Sequence, residues 1–172
     1  MVKHIPNLLS LFRVIDLVVV IVFLEKGMHL WAFGFFLLGI LSDVLDGHIA
    51  RKKKAISKIG KILDPLADKV LVIGVLIALI KIMDVPYWMV IVIVFREFAV
   101  TGLRVVAASE NVVIAANVWG KFKTTSQFIA LSLLILGFRT IGIYALLFAV
   151  IMTVISGYLY YHEYFKDRDV FA

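Results

Sequence analysis

Asp43-Val44-Leu45-Asp46-Gly47-His48-Ile49-Ala50-Arg51 is followed, after eight residues, by Gly60-Lys61-Ile62-Leu63-Asp64-Pro65-Leu66-Ala67-Asp68. Asp43 and Asp46 stand three apart, and Asp64 and Asp68 four apart. On a helix, residues at these separations share a face. Apolar runs lead into the first pair and out of the second, which reads as two helices joined by a short link and packed antiparallel. Four carboxylates then meet at one depth. So close together in a low dielectric they repel strongly, and either some are protonated or cations lie between them. An all-oxygen donor set in a chain without cysteine suits a hard cation, Mg²⁺ or Mn²⁺. Four carboxylates are enough for two such ions, with positions left open for phosphates. A two-ion arrangement stabilises both the attacking and the leaving oxygen of a displacement at phosphorus. Gly47 and Gly60 allow close approach of a helix or ligand, Ala50 leaves room beside them, and Arg51 has the planar fork that clamps a phosphate. The plain alternative is a solvated hairpin whose acids pair with Lys52, Lys53, Lys54 and Lys58. It does not account for the acids lying inward of the lysines.

These pairs are set in a chain of 172 residues of which 63% are hydrophobic, against about 45–50% in an ordinary soluble domain. A chain this short cannot hide so much apolar surface in a core. Composition therefore excludes a soluble enzyme, a disordered chain and a disulfide scaffold. Six apolar segments run from Asn7–Leu24, Leu30–Arg51, Ser57–Ile82, Pro86–Ala108, Asn117–Phe138 and Thr140–Phe165. They are too long for strands and do not alternate with period two. Each approaches the roughly 20 residues that cross a bilayer core. The expectation is an all-α polytopic membrane protein, residues 1–172 forming one domain of six transmembrane helices around a polar cavity open to the cytoplasm. Arg13 and Asp16 interrupt the first segment, so it does not read as a cleaved leader.

With six spans both termini lie on one side. That side carries thirteen of the 18 Lys and Arg residues and the other side three, which places the termini and the acids in the cytoplasm. The net charge of +6 then reads as affinity for anionic membrane lipids, not for nucleic acid. Only Thr140–Tyr161 is uncharged over a length that spans a bilayer. Elsewhere Asp16, Arg96, Glu97, Arg104, Lys121 and Lys123 fall within spans. A charge near the bilayer centre costs about 2.5–3.5 kcal/mol, so this many argue against a purely structural anchor, and their clustering towards the cytoplasmic ends points to the polar cavity. Trp31, Trp88, Trp119, Tyr158, Tyr160, Tyr161 and Tyr164 lie near segment ends and read as an aromatic belt.

The aspartate pattern resembles the signature of the CDP-alcohol phosphotransferase family, D-x2-D-G-x2-A-R-x8-G-x3-D-x3-D. Asp43, Asp46, Gly47, Ala50, Arg51, Gly60, Asp64 and Asp68 match it at every fixed position. The resemblance implies a homodimeric six-helix membrane enzyme that binds a CDP-linked lipid or alcohol at the cytoplasmic face and displaces CMP with an alcohol hydroxyl. It implies that Asp43, Asp46 and Asp64 are the main ligands of two Mg²⁺ or Mn²⁺ ions. Asp68 is then the general base and also touches the second metal, and Gly47, Ala50, Arg51 and Gly60 contact the CDP part.

Further segments resemble the phosphatidylglycerophosphate synthase branch of that family: Asn7-Leu-Leu-Ser10-Leu-Phe-Arg13, Leu63–Lys69, Arg96–Arg104 and Gly120–Gln127. The resemblance implies that Asn7, Ser10 and Arg13 help to hold the cytidine diphosphate, in a prokaryotic plasma membrane. A capping Asn7 and a snorkelling Arg13 are the plain alternative. It implies CDP-diacylglycerol and glycerol 3-phosphate as substrates. Arg96, Arg104, Lys121 and Lys123 agree, because a phosphorylated acceptor needs cationic partners. Positive-inside anchoring with an Arg96–Glu97 pair is the alternative for these. Thr124 adds a hydroxyl, although Thr in membrane helices commonly bonds its own backbone. Two rival functions stay open. One is the same chemistry with inositol phosphate or phosphatidylglycerol as acceptor. The other is a divalent-cation transporter using the four aspartates, against which the lack of an inverted internal repeat counts.

Overall fold

The computed structural model describes the backbone of residues 5–53, 60–109 and 118–166, and side chains within 13–41, 69–109 and 118–166. Six helices follow one another: α1 (Ile5–Glu25), α2 (His29–Lys53), α3 (Gly60–Met83), α4 (Tyr87–Ser109), α5 (Val118–Ile135) and α6 (Arg139–Phe165). The described residues contain no strand. Each helix coincides with one apolar segment of the sequence.

Three of the links are turns built on a left-handed residue. Gly27 (φ 69°) closes α1, where the Met28 N–H donates to the Phe23 carbonyl at 2.9 Å and the Gly27 N–H to that of Leu24 at 3.0 Å. This pair of bonds satisfies carbonyls that a helix end leaves open, and glycine adopts the required conformation without a Cβ clash. Gly137 (φ 91°) closes α5 in the same way, with the Phe138 N–H on the Leu133 carbonyl at 2.9 Å. That turn is why α5 stops at Ile135, short of the Phe138 expected from its apolar run. After α3, Asp84 takes φ 49°, a conformation in which Asp is enriched among non-glycine residues. Pro86 follows, lacking the N–H a continuing helix needs.

The chain divides into two compact units, Met1–Asp84 with Ile135–Gly137, and Val85–Leu134 with Phe138–Ala172. In the first, α1 packs against both α2 and α3. Side chains of α1 and α3 both crowd Gly39 of α2, where a Cβ would collide with the Asp16 carboxylate of α1 and lie 2.7 Å from a Leu71 methyl carbon of α3. Val20, Leu24, Phe36, Leu71 and Val75 fill the core of this unit. The antiparallel packing of α2 on α3 expected beside their link would be made by side chains outside the described residues.

In the second unit, α4 packs on α6. Ile93, Val100 and Leu103 of α4 and Leu146, Ala149 and Val150 of α6 are buried. Polar bonds tie in α5, whose Gln127 Nε2 donates to Thr153 Oγ1 of α6 at 3.0 Å. Tyr160 and Tyr164 are buried, while Tyr158 and Tyr161 are exposed. This corrects the aromatic-belt expectation for Tyr160 and Tyr164. Each residue advances a helix by about 100°, so closeness to an end does not decide which side a residue faces. Among the described residues, Arg139–Phe165 is the helix whose length and composition alone suffice to cross a membrane, as the uncharged run Thr140–Tyr161 implies.

Candidate functional site

Asp43 and Asp46 lie on helical backbone towards the end of α2, and Asp64 and Asp68 near the start of α3. Each pair therefore shares a helix face, as its spacing requires. The side chains of these four aspartates, and those of Asn7, Ser10, Gly47, Ala50, Arg51 and Gly60, lie outside the described residues. The donor set fits a hard divalent cation: four carboxylates, no sulfur, and a helical backbone that sets each pair side by side. Among the described residues no group of three His, Asp or Glu converges elsewhere.

Arg13 is buried, 6% exposed, and does not reach out as a snorkelling side chain would. Asp16 continues the three-residue spacing of Asn7, Ser10 and Arg13. It is 3% exposed beside Gly39, and neither carboxylate oxygen has a hydrogen-bond partner among the described residues. Asp16 is the polar member that the reading of this line, ending at Arg13, leaves out. The unbroken spacing is the signal for it.

The basic residues divide into two kinds. Arg96 Nη1 lies 3.3 Å from Glu97 Oε1, and Nη2 donates to Ser156 Oγ at 2.6 Å. Lys123 Nζ pairs with the same Glu97 oxygen. The Arg96 and Lys123 side chains are only 11% and 7% exposed. Arg104, two turns further along α4, is exposed and donates from Nη2 to the Tyr160 hydroxyl at 2.7 Å. The Tyr160 ring lies under both guanidinium groups, 5.0 Å from that of Arg104 and 5.6 Å from that of Arg96. Lys121 is exposed near the start of α5. Thr124 donates its hydroxyl to the Gly120 carbonyl of its own helix at 3.0 Å. The structure thus draws Arg96, Arg104 and Lys123 together around Glu97 and Tyr160. Three cations around one carboxylate leave an excess of positive charge, which attracts an anion.

Glu97, Ser156 and Tyr160 are the members of this network that the sequence reading does not assign to the site. A signal for the last two is present in α6. Thr153, Ser156, Gly157, Tyr160 and Tyr164 recur at helical spacing in an otherwise apolar helix, and all are buried. No comparable local signal joins Glu97 to Lys123, which lies 26 residues away on another helix.

Comparison with known proteins adds to this geometry. The CDP-alcohol phosphatidyltransferase family model matches residues 3–155, a stretch that reaches into both units. A CDP-diacylglycerol--glycerol-3-phosphate 3-phosphatidyltransferase of Bacillus subtilis (strain 168) is 46% identical over 142 residues, 78% of this chain and 74% of the relative. A protein of the same name from Rickettsia bellii (strain RML369-C) is 35% identical over 170 residues, 92% of this chain and 94% of the relative. Another, from Haemophilus influenzae (strain ATCC 51907 / DSM 11121 / KW20 / Rd), is 36% identical over 137 residues, 74% of this chain and 73% of the relative. With its aspartate signature complete and the family model matching most of its length, the chain belongs to the CDP-alcohol phosphatidyltransferase family.

Proposed function

We propose that this chain transfers the phosphatidyl group of CDP-diacylglycerol to glycerol 3-phosphate, giving phosphatidylglycerophosphate and CMP. The observation that carries this reading is the 46% identity to the Bacillus subtilis enzyme named for that reaction. Residues 1–172 are read as one domain with six helices crossing a bacterial plasma membrane. Both termini and the reacting residues lie on the cytoplasmic side. Burial supports the membrane setting. On α4, Phe95 is 74% exposed while the side chain of its neighbour Arg96 is 11% exposed. Val14, Ile15 and Val18 of α1 and Phe148, Ile151 and Val154 of α6 are also exposed. Water penalises such faces, and hydrocarbon does not.

Asp43, Asp46, Asp64 and Asp68 are the residues that would hold two Mg²⁺ or Mn²⁺ ions. When bound, such ions stabilise the negative charge on the diphosphate and its leaving oxygen. Gly47, Ala50 and Gly60 give close access to the cytidine diphosphate, and Asn7, Ser10, Arg13 and Arg51 supply hydrogen bonds to it. Asp68 accepts the proton of the attacking glycerol hydroxyl. That oxygen bonds to the β-phosphorus as the bond from the same phosphorus to the CMP oxygen breaks. Arg104 and Lys121 bind the acceptor's phosphate, with Arg96 and Lys123 behind them and Thr124 beside them. Anionic lipids at Lys52, Lys53 and Lys54, and a second copy of the chain, complete the partners.

The test is CMP release from CDP-diacylglycerol by the purified protein in detergent with Mg²⁺, with and without glycerol 3-phosphate. Release that needs both, with phosphatidylglycerophosphate as product, is the expected result. Release only with inositol phosphate or phosphatidylglycerol reassigns the acceptor. No release with any acceptor, together with divalent-ion flux into vesicles, replaces the enzyme by a transporter.

A further inference from the structure

The aspartate signature does not extend to α6, and the reaction above gives that helix no part. Yet α6 is where the cations of the second unit meet. Resting on the glycerol 3-phosphate reading, we propose that Tyr160 is a positioning residue that holds Arg104 for the acceptor's phosphate and so sets the preference for a phosphorylated alcohol.

Arg104 is exposed, and a free guanidinium on so long a side chain samples many rotamers. Tyr160 restricts it twice, through the 2.7 Å hydrogen bond to its hydroxyl and through the ring 5.0 Å from the guanidinium carbon. Tyr160 is itself only 3% exposed. Its hydroxyl packs against α5, 3.4 Å from where a Cβ at Gly120 would stand. Gly120 immediately precedes Lys121, so the phenol sits beside the backbone that carries the second exposed cation. The bond to Tyr160 uses one of the guanidinium's five donors, and others remain for phosphate oxygens.

Arg96 and Lys123 are differently placed. An anion must compete with Glu97 for both, and Ser156 occupies a further Arg96 donor. They therefore frame the site, while Arg104 and Lys121 make the contact. Glu97 offsets one of the four positive charges of Arg96, Arg104, Lys121 and Lys123, and the excess suits a phosphate monoester, which carries about −1.5 to −2 near neutral pH. A neutral alcohol leaves that charge uncompensated.

Tyr160→Phe keeps the ring and removes the hydroxyl, and Tyr160→Leu removes both. KM for each substrate and kcat would be measured on purified protein, with inorganic phosphate as a competitive probe of the acceptor site. For Tyr160→Phe we expect KM for glycerol 3-phosphate and the inhibition constant of phosphate to rise together, about fivefold to tenfold. KM for CDP-diacylglycerol stays unchanged, and Tyr160→Leu shows the larger rise. Tyr158→Phe, an exposed tyrosine on the same helix, changes neither constant. An unchanged phosphate inhibition constant in Tyr160→Phe, or an equal shift in both substrates' KM, overturns the proposal. If the wild type uses another acceptor, the phosphate measurement against that acceptor still decides the role of Tyr160, and only the glycerol 3-phosphate reading falls. If the tyrosine variants do not fold, Arg104→Lys keeps the charge but loses the fork and the ring contact. The proposal then requires the same rise in both constants, and no rise overturns it.

Discussion

The two three-helix units hold polar groups among apolar helices in opposite ways. In the first, Asp16 is buried against Gly39 with no hydrogen-bond partner for either oxygen among the described residues, and the helices meet by close packing. In the second, polar side chains reach across helices. Lys123 pairs with Glu97, Arg96 bonds Ser156, Gln127 bonds Thr153, and Arg104 bonds Tyr160. Buried polar groups are nearly always paired, and one that is not calls for a partner beyond the described residues. In the second unit Arg96 Nε is the described buried side-chain atom left without a hydrogen-bond partner, and ligand contacts are proposed for its exposed cations. The first unit carries the acids whose proposed partners are metal ions and substrate.

The largest expected effect falls on the first unit. Asp68→Asn removes the proposed proton acceptor, and kcat should drop about 10²–10⁴-fold, the range typical of general acid–base catalysis. Binding of CDP-diacylglycerol, followed by protection against thermal unfolding, should persist. Normal turnover in this variant would sink the assignment of Asp68 as base.

Next comes one chemical change made in both units. Glu97→Gln strips the carboxylate that Arg96 and Lys123 share, leaving two mostly buried cations. Losing one partner of a buried pair costs about 3–5 kcal/mol, so thermal unfolding in detergent should move down sharply. Asp16→Asn replaces a carboxylate that has no hydrogen-bond partner among the described residues. An amide is less costly to bury than a charge, so the same assay should show no loss. If Asp16→Asn destabilises as much as Glu97→Gln, the first unit is as self-satisfied as the second and the contrast fails.

Gly39→Ala sharpens the account of close packing. The added methyl meets the Asp16 carboxylate and Leu71, and overpacking of this kind costs about 1–3 kcal/mol. In an Asp16→Ala background the cost should shrink, because one of the two obstacles is gone. Equal costs in both backgrounds would show that Leu71 alone sets the limit.

The helices are legible in the sequence because each apolar run is about as long as a bilayer is thick and most runs end near Gly27 or Pro86 or in a polar stretch. The end of α5 is not, since Leu136-Gly137-Phe138 continues an apolar run and only the backbone shows that glycine breaking it. The aspartate pairs are legible because spacings of three and four are local and carry their meaning on any helix. The Glu97–Lys123 pair spans 26 residues and two helices, and nothing in either neighbourhood foretells it. Tyr160 reads as an interfacial aromatic because depth along a helix is visible in sequence, while rotation about its axis emerges only from the pattern of Thr153, Ser156, Gly157 and Tyr160. The same limit applies to Arg96. Its charge marks it as functional, but the sequence does not show that Nη1 and Nη2 are engaged by Glu97 and Ser156 while Nε is buried with no hydrogen-bond partner among the described residues.

The smallest expected effect belongs to Thr124. Its hydroxyl hydrogen is already given to the Gly120 carbonyl, and a phosphate needs donors. Thr124→Val keeps the shape of the side chain and loses only this bond within the helix, a change of about 0.5 kcal/mol or less for an exposed position. KM for glycerol 3-phosphate should therefore stay within about twofold, less than 0.5 kcal/mol of binding energy. A severalfold rise would mean that the hydroxyl leaves Gly120 and turns to the phosphate when the acceptor binds. The second unit would then draw a partner from its ligand, as the first is proposed to do. Its internal bonds would be a resting arrangement that substrate exchanges for its own, and Arg96 and Lys123 would become the next residues to test for the same exchange.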